Sequence, residues 1–258
     1  MRTICILFIF SLFIFSSGQS QYINPSNRVV YIDSNYTKLY SGDIISNYEN
    51  GQIRNKWNYL NGIINGESFI YYENGQLLHK WNYKNGLPEG ESIEYFNNGQ
   101  IKEKSNYING LPEGEFIVYN ENGRIKEKGK YLHGKKDGEN FYYYENGSIQ
   151  QKKTFKEGVL EGETIFYNSE GKIDKRETIL NGQIHGESII YFDNGSIRQK
   201  LNYINGIPEG EATFYIINGL LFRKENYKNG ELNGEKITFN KKGKIKKTEI
   251  YINGVLKK

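Results

Sequence analysis

A 24-residue unit repeats without insertion or deletion from Gly42 to the C-terminus, and it constrains the fold more than any other feature of the chain. Three glycines mark each unit, and in one of them they are Gly66, Gly75 and Gly86. The next unit begins at Gly90, and the array contains nine 24-residue units. A fixed period of this length predicts one supersecondary element per repeat, stacked on its neighbours.

Four further positions recur with the glycines. In the repeat that begins at Gly66 they are an acid, two aromatic residues and a base: Glu67, Tyr71, Tyr83 and Lys80. Because the acid and the base recur together, we expect them to form ion pairs in the same or the adjacent hairpin, each contributing about 0–1 kcal/mol. The two aromatic positions predict ladders of rings along the array.

Asn-Gly between apolar runs is the strongest short-range signal for a β-hairpin, because a two-residue type I′ turn needs positive φ at both central residues. The repeat carries this dipeptide twice, at Asn74-Gly75 and at Asn85-Gly86. Residues 67–72 and 76–83 then read as strands rich in Tyr, Phe and Ile. The prediction is an all-β fold, an elongated array of antiparallel β-hairpins in a meander, with type I′ geometry at both turns.

The pattern G-E-x-φ-x-Y-x-x-N-G-x-φ-x-x-K-x-x-Y-x-N-G, read from Gly66 to Gly86, resembles MORN-repeat proteins. It is most similar to the MORN-variant repeats of bacterial proteins labelled as YwqK-type antitoxins. The resemblance implies a β-hairpin array with a role in binding or scaffolding, and it also implies an antitoxin role. The tyrosine-aspartate repeats of large secreted shell proteins share the segment from Tyr119 to Ile125, but they lack the recurrent Gly-Glu opening.

Three segments follow from the sequence. Residues 1–18 have the charge, the apolar run and the small residues of a secretory signal peptide, with an uncleaved anchor as the alternative. Residues 19–41 do not fit the repeat and are predicted to cap the array at its first strand. Residues 42–258 form the array, and its last repeat is crowded with lysines, which either protect an open sheet edge or face an anionic surface.

Composition argues against several chemistries. The single cysteine, Cys5, lies within the predicted signal, so no thiol chemistry is expected in the exported chain. His79, His133 and His185 each fall in a position that is polar in other repeats, and all three are predicted to face solvent rather than a metal. The net charge of +4 is spread by position, so no nucleic-acid partner is expected. We expect no cofactor, no small-molecule substrate and no catalytic site.

Trp57 and Trp81 occupy one position in adjacent repeats, where later repeats carry polar residues. As aromatic residues outside the predicted ladders, they are the candidate binding surface, with packing beneath the N-terminal cap as the alternative. The leading hypothesis is an exported, non-enzymatic repeat protein that acts as a scaffold for a protein partner or a component of the cell envelope. The alternatives are an antitoxin that neutralises a toxin and a carbohydrate-binding module that uses the two tryptophans.

Overall fold

The computed structural model describes residues 21–24, 27 and 29–257, so the predicted signal peptide lies outside the described residues. Every regular element in the described part is a β-strand, which confirms the all-β prediction. Among these residues, no helix is long and apolar enough to cross a membrane. The chain divides into two compact units, an N-terminal unit from Met1 to Leu111 and a C-terminal unit from Pro112 to Lys258.

The strands follow the repeat. Those of the N-terminal unit are β1 Tyr22–Ile23, β2 Val30–Tyr31, β3 Gly42–Asn47, β4 Ile53–Leu60, β5 Ile63–Ile64, β6 Gly66–Tyr71, β7 Leu77–Lys84, β8 Leu87–Pro88, β9 Gly90–Tyr95 and β10 Ile101–Ile108. The division between the units falls within β11 Leu111–Pro112. Those of the C-terminal unit are β12 Gly114–Tyr119, β13 Ile125–Leu132, β14 Lys135–Lys136, β15 Gly138–Tyr143, β16 Ile149–Lys156, β17 Val159–Leu160, β18 Gly162–Tyr167, β19 Ile173–Leu180, β20 Gln183–Tyr191, β21 Ile197–Ile204, β22 Ile207–Pro208, β23 Gly210–Tyr215, β24 Leu221–Lys228, β25 Glu231–Leu232, β26 Gly234–Phe239, β27 Ile245–Ile252 and β28 Val255–Leu256.

Each repeat forms one hairpin and a short return strand. In the repeat at Gly66, β6 pairs antiparallel with β7, and Phe69 lies opposite Lys80. The end of β7 pairs with the two-residue β8, while its middle pairs with β9 of the next repeat. The antiparallel meander of hairpins is therefore confirmed, and the predicted strands agree with the observed ones to within a residue at each end.

The two Asn-Gly turns differ, and the prediction of type I′ geometry is right for only one of them. At the second turn both Asn85 and Gly86 have positive φ, 51° and 85°, as type I′ requires. At the first turn only Gly75 does, with a φ of 83°. There the amide of Gly75 donates to the carbonyl of Tyr72 over 2.9 Å and the amide of Tyr72 donates to the carbonyl of Gln76 over 2.8 Å, so residues 73–75 form a three-residue loop. Asn74 is favoured because its Oδ1 accepts from the backbone N of Gln76 over 3.0 Å.

The opening glycine bends the chain between two pairings of the same strand. Tyr59 of β4 lies opposite Ile64, whereas Lys56 lies opposite Phe69, so residues 65–68 bulge opposite residues 57–58. Gly66 takes a φ of 91° at this bulge, a conformation that L-residues with side chains rarely adopt. The recurrence of the glycine thus follows from the backbone geometry of the join between repeats.

The second residue after the opening glycine is buried in eight of the nine repeats, and most of these eight residues are small. They are Ile44, Ser68 and Ser92 in the N-terminal unit, and Phe116, Asn140, Thr164, Ser188 and Ala212 in the C-terminal unit. Because side chains alternate along a strand, the residues within each unit lie on one face of its sheet, the buried face. Next to the first repeat, Val30, Tyr40 and Ile44 form a core of buried residues that includes part of the segment predicted to be the cap.

The opposite face carries the recurrent acid and base. Lys80 Nζ lies 2.5 Å from Glu67 Oε1 across the hairpin, and both side chains are more than a third exposed. The same pair recurs in other repeats, for example between Lys224 and Glu211 at 3.1 Å. The predicted pairing is confirmed within one hairpin, and its exposure limits each pair to about 0–1 kcal/mol.

Candidate functional site

Trp57 and Trp81 lie in the second strands of the first two repeats, on the buried face of the sheet. Trp57 is opposite Ile44 and Trp81 is opposite Ser68, and both indoles are half-buried. Ser68 is fully buried, and because its side chain is small it leaves room for the indole of Trp81 across the hairpin. The two tryptophans therefore share a face, as their common position in the repeat predicts.

Both tryptophans belong to a continuous cluster of rings. Trp81 stacks on His79 with centroids 4.2 Å apart, and it contacts Tyr107 at 5.1 Å. Tyr83 lies 6.2 Å from Trp81 and 6.4 Å from Trp57, so it joins the two. We call these five residues the aromatic cluster. The interpretation of the tryptophans as separate from the ladders is wrong, since they pack on the recurrent tyrosines.

The contacts of the aromatic cluster favour packing between neighbouring repeats over the alternative, packing of the tryptophans beneath the cap. Among the described residues, the buried core next to the cap has Tyr59 at its margin and does not include Trp57. The ring of Trp57 instead contacts that of Tyr83 in the following repeat, with the two planes 69° apart. The candidate surface is thus built by neighbouring repeats rather than by the cap.

His79 was predicted to face solvent, and the structure corrects this. Its ring is half-buried, and its Nε2 lies 2.8 Å from Ser92 Oγ. Burial disfavours the imidazolium and lowers the pKa of His79 to about 4, and the nearby Glu94 offsets only part of that effect. The position is polar in other repeats, which hid the fact that it lies two residues before Trp81 on the same face.

The tyrosines of this face stay protonated over a wide pH range. Burial raises the pKa of Tyr83 to about 12, and it also raises the pKa values of Tyr59 and Tyr107. Together with the neutral His79, the cluster offers flat ring faces and uncharged hydrogen-bond donors. Such a surface is suited to stacking on a sugar ring or on the side chains of a protein.

The other two histidines do not join His79. His133 takes a φ of 50° at a tight turn, and its backbone N donates to Glu113 Oε2 over 2.7 Å. His185 is close to Asn205, with 3.2 Å between Nδ1 and Oδ1. In the described part of the chain, no group of three histidine, cysteine or acidic residues is placed to hold a metal ion.

A tyrosine directly after the first strand, at the position of Tyr48 and Tyr72, donates a hydrogen bond to the next repeat that the sequence did not reveal. The backbone carbonyl of Tyr71 accepts a hydrogen bond of 2.7 Å from the hydroxyl of Tyr48, one repeat earlier. Tyr72 donates to the carbonyl of Tyr95 in the same way over 2.8 Å. The signal was present in the sequence, because a tyrosine recurs at the position of Tyr48 and Tyr72 in several repeats.

In the C-terminal unit, buried charges occupy the position of the tryptophans. Glu225 is only 4% exposed, and it accepts from the hydroxyl of Tyr227 over 2.9 Å. Its carboxylate also lies 3.0 Å from Arg223 Nε and 3.5 Å from Lys236 Nζ. This network satisfies a buried carboxylate and gives it a structural role. In the sequence, this network is indicated by a glutamate at the tryptophan position that comes two residues after a basic residue.

In each unit, exposed apolar residues flank the tight turns at the ends of the hairpins. We call these residues the apolar ridge. Its exposed members are Leu60, Ile63, Leu87, Ile108 and Leu111 in the N-terminal unit, and Leu132, Val159, Leu180, Ile204, Ile207, Ile252 and Val255 in the C-terminal unit. A Cβ atom at Gly86 would lie only 3.2 Å from the Cγ2 of Ile63, so ridge residues contact the turn of the next repeat.

Comparison with known proteins places the repeat in a family. Residues 40–61, 64–85, 88–109, 112–133, 136–157 and 184–205 each match the family model described as MORN repeat variant. No curated protein matches the chain. Among solved structures, a porin-like protein from Bacteroides uniformis is 10% identical over 74% of this chain and 86% of its own, with a TM-score of 0.20. The Photorhabdus luminescens Tc holotoxin pore is 10% identical over 88% of this chain and 15% of its own, with a TM-score of 0.22.

The two structural likenesses carry no argument, because their TM-scores are too low to indicate a shared fold. The family matches do, since they cover just over half of the chain and follow the 24-residue step of the glycines. Repeats of this kind form arrays whose surfaces serve binding or scaffolding. The chain belongs to the MORN repeat variant family.

Proposed function

We propose that the chain is an exported, non-enzymatic repeat protein that acts as a scaffold for a protein partner or a component of the cell envelope. The observation that carries the proposal is the apolar ridge. Residues such as Leu87 and Ile108 are about half exposed, 49% and 47%, although the same positions hold Lys135 and Lys84 in other repeats. A row of exposed apolar side chains in a soluble array is typical of an interaction surface.

The ridge also has the geometry of such a surface. Its residues flank tight turns whose backbone is fixed by positive φ at Asn85 and Gly86 and their equivalents. Little conformational entropy is therefore lost when a partner covers them. The Glu67–Lys80 pairs lie on the same side of the sheet, because Lys84, which is opposite Leu87, follows Lys80 by four residues in the same strand.

A crosslinking experiment in native cells tests this proposal. A photoreactive residue at Leu87 is expected to crosslink to one defined partner outside the cytoplasm, and the change of Leu60, Ile63 and Ile108 to Ser is expected to abolish the crosslink. The same residue placed at Glu73, in the exposed loop at the other end of the hairpin, is the matched control and should remain uncrosslinked. Equal crosslinking at both positions, or hydrolysis of a glycan or peptide that is lost in Glu67→Gln, would overturn the proposal.

The antitoxin role implied by the resemblance differs from the scaffold role in its partner and in the cellular compartment where the partner is found. It predicts that the chain keeps Met1, stays in the cytoplasm and protects cells from a co-encoded toxin. Cell fractionation with sequencing of the N-terminus separates the two roles. A mature chain that begins near Gln19 outside the cytoplasm supports the exported scaffold and argues against the antitoxin.

The aromatic cluster favours a second candidate, binding of a carbohydrate. Trp57 and Trp81 lie on one face beside neutral donors, an arrangement suited to stacking on sugar rings. Changing both tryptophans to Ala is expected to abolish binding to cell-wall polysaccharide, whereas Phe222→Ala, an exposed aromatic residue in the C-terminal unit, should leave it intact. Unchanged binding by the double variant would rule this candidate out.

A further inference from the structure

The C-terminal unit holds a lysine side chain among aromatic rings. Lys136 Nζ lies 5.1 Å from the ring centroid of Phe116 and 5.8 Å from that of Tyr142. The ring centroid of Phe155 is also 5.8 Å from this nitrogen. A cation at these distances is attracted by the negative potential of the ring faces, and an ion pair with Glu127 balances its charge. This part of the repeat can therefore accommodate an ammonium group.

In the N-terminal unit, two pairs of rings each join a tryptophan of one repeat to a tyrosine of the next repeat. We call them the first ring pair and the second ring pair, which are Trp57 with Tyr83 and Trp81 with Tyr107. Their planes are 69° and 59° apart, and their centroids are separated by 6.4 Å and 5.1 Å. All four side chains are half-buried. Rings at such steep angles face a ligand from two directions rather than as one flat platform.

The ring pairs correspond to the place of the Lys136 ammonium group. Two and three repeats before Lys136, the same position holds Pro88 and Ile64, whose side chains carry no charge. The position of its acidic partner holds His79 and Asn55 in those repeats, so the carboxylate is replaced as well. Each ring pair therefore keeps the aromatic part of the site, while the cation and the acid at these two positions are exchanged for other residues.

These surroundings suit a quaternary ammonium group better than a primary amine. A primary ammonium is strongly hydrated and needs hydrogen-bond acceptors when it is buried, as the pairing of Lys136 with Glu127 illustrates. The acid near His79, Glu94, is already paired with Lys102 over 2.7 Å. A trimethylammonium group has no N–H to satisfy, and its methyl groups can pack on two inclined rings while its charge is attracted to both.

We propose that the two ring pairs bind quaternary ammonium groups, such as that of choline, carried by a polysaccharide of the cell envelope. The inference rests on the second candidate function and deepens it, because it names the group of the polysaccharide that the rings recognise. A tetrahedral trimethylammonium group fits between rings inclined by 59° or 69°, whereas a sugar ring stacks on a single flat face. Because the ring pairs lie in successive repeats, one polymer can engage the chain at two points.

Isothermal titration calorimetry of the full chain with choline tests the inference. Choline is expected to bind, and dimethylbutanol, its uncharged carbon analogue, should bind about tenfold more weakly because it lacks the attraction between cation and ring. Ile64→Lys combined with Pro88→Lys places an ammonium group of the chain itself at each ring pair, as Lys136 does in the C-terminal unit. This variant should bind choline about tenfold more weakly than the unaltered chain, because the two cations compete for the same rings.

The matched control combines Pro208→Lys with Leu232→Lys, at the same position in two repeats that carry no tryptophan. These side chains are half-buried like those of Ile64 and Pro88. The control should bind choline like the unaltered chain, and circular dichroism should show that both variants retain their strands. No binding of choline, equal binding of dimethylbutanol, or an equal loss in the control would overturn the inference.

A competition experiment separates this inference from the second candidate function. Choline is expected to release the chain from cell-wall polysaccharide, whereas dimethylbutanol at the same concentration is not. Polysaccharide binding that is lost when Trp57 and Trp81 are changed to Ala, but that choline leaves unaffected, would retain the carbohydrate-binding function and overturn the quaternary ammonium site. Binding of choline without binding of polysaccharide would support the site and reject the second candidate function.

Discussion

Gly129 provides the sharpest test of how the repeats pack. It occupies the position of the tryptophans, and its φ is not positive, so alanine suits its backbone. A Cβ atom added there would lie 2.4 Å from the Cγ and Oδ1 of Asn140. Asn140 is completely buried at the bulge of the next repeat and therefore has no open space into which its side chain can move.

We expect Gly129→Ala to destabilise the chain by about 1–3 kcal/mol, the usual cost of overpacking a filled interior. The sign should reverse when Asn140 is first changed to Ala. Asn140→Ala removes the clash and an Oδ1 atom that has no hydrogen-bond partner. In that background, Gly129→Ala should stabilise the chain by about 0.5–1 kcal/mol, because alanine lowers the entropy of the unfolded chain and suits a strand better than glycine.

Urea unfolding of the unaltered chain, the two single variants and the double variant measures this coupling, and amide hydrogen exchange in β13 and β15 reports it locally. Ser105→Ala, a change at the same position of another repeat, is the control and should cost less than Gly129→Ala. The packing argument is refuted if Gly129→Ala is neutral, or if its effect is the same with and without Asn140.

Two further predictions concern protonation and turn geometry. Folding lowers the pKa of His79 from 6.5 to about 4, so between these pH values the unfolded chain binds more protons than the folded chain. The free energy of unfolding should therefore fall by about 2 kcal/mol as the pH drops through that window, after allowance for solvent screening. His79→Gln should lack this part of the pH slope in urea unfolding, and an unchanged slope would contradict the burial of the neutral ring. Asn85→Gly should change stability by less than about 0.5 kcal/mol, because that turn needs only a residue that tolerates positive φ. Asn74→Gly should cost about 1 kcal/mol, because it removes the side-chain hydrogen bonds to Gln76 and Asn97. Equal effects of the two changes in thermal unfolding would show that the turns do not differ as described.

Much of the fold could be predicted because the repeat determines local structure many times over. The spacing of Gly66, Gly75 and Gly86 predicted the strand lengths, since tight turns with positive φ leave few other conformations. The Glu67–Lys80 pair was predictable because both residues recur together and face each other across one hairpin. For the candidate site, the sequence predicted only that Trp57 and Trp81 occupy the same position in adjacent repeats, and it did not predict their contacts with other rings.

The tertiary structure decided what each position faces. The bulge at Gly66 shifts the pairing of β4 and places Ser68 in the interior. His79 stacks on Trp81 of its own strand, and its Nε2 contacts Ser92 of the next repeat. Polar residue types at those positions gave no sign of burial, because burial depends on contacts with the next repeat rather than on local sequence. The sequence by itself determined the period, the positions of the turns and the family, while the packing of one repeat on the next determined which side chains form a surface.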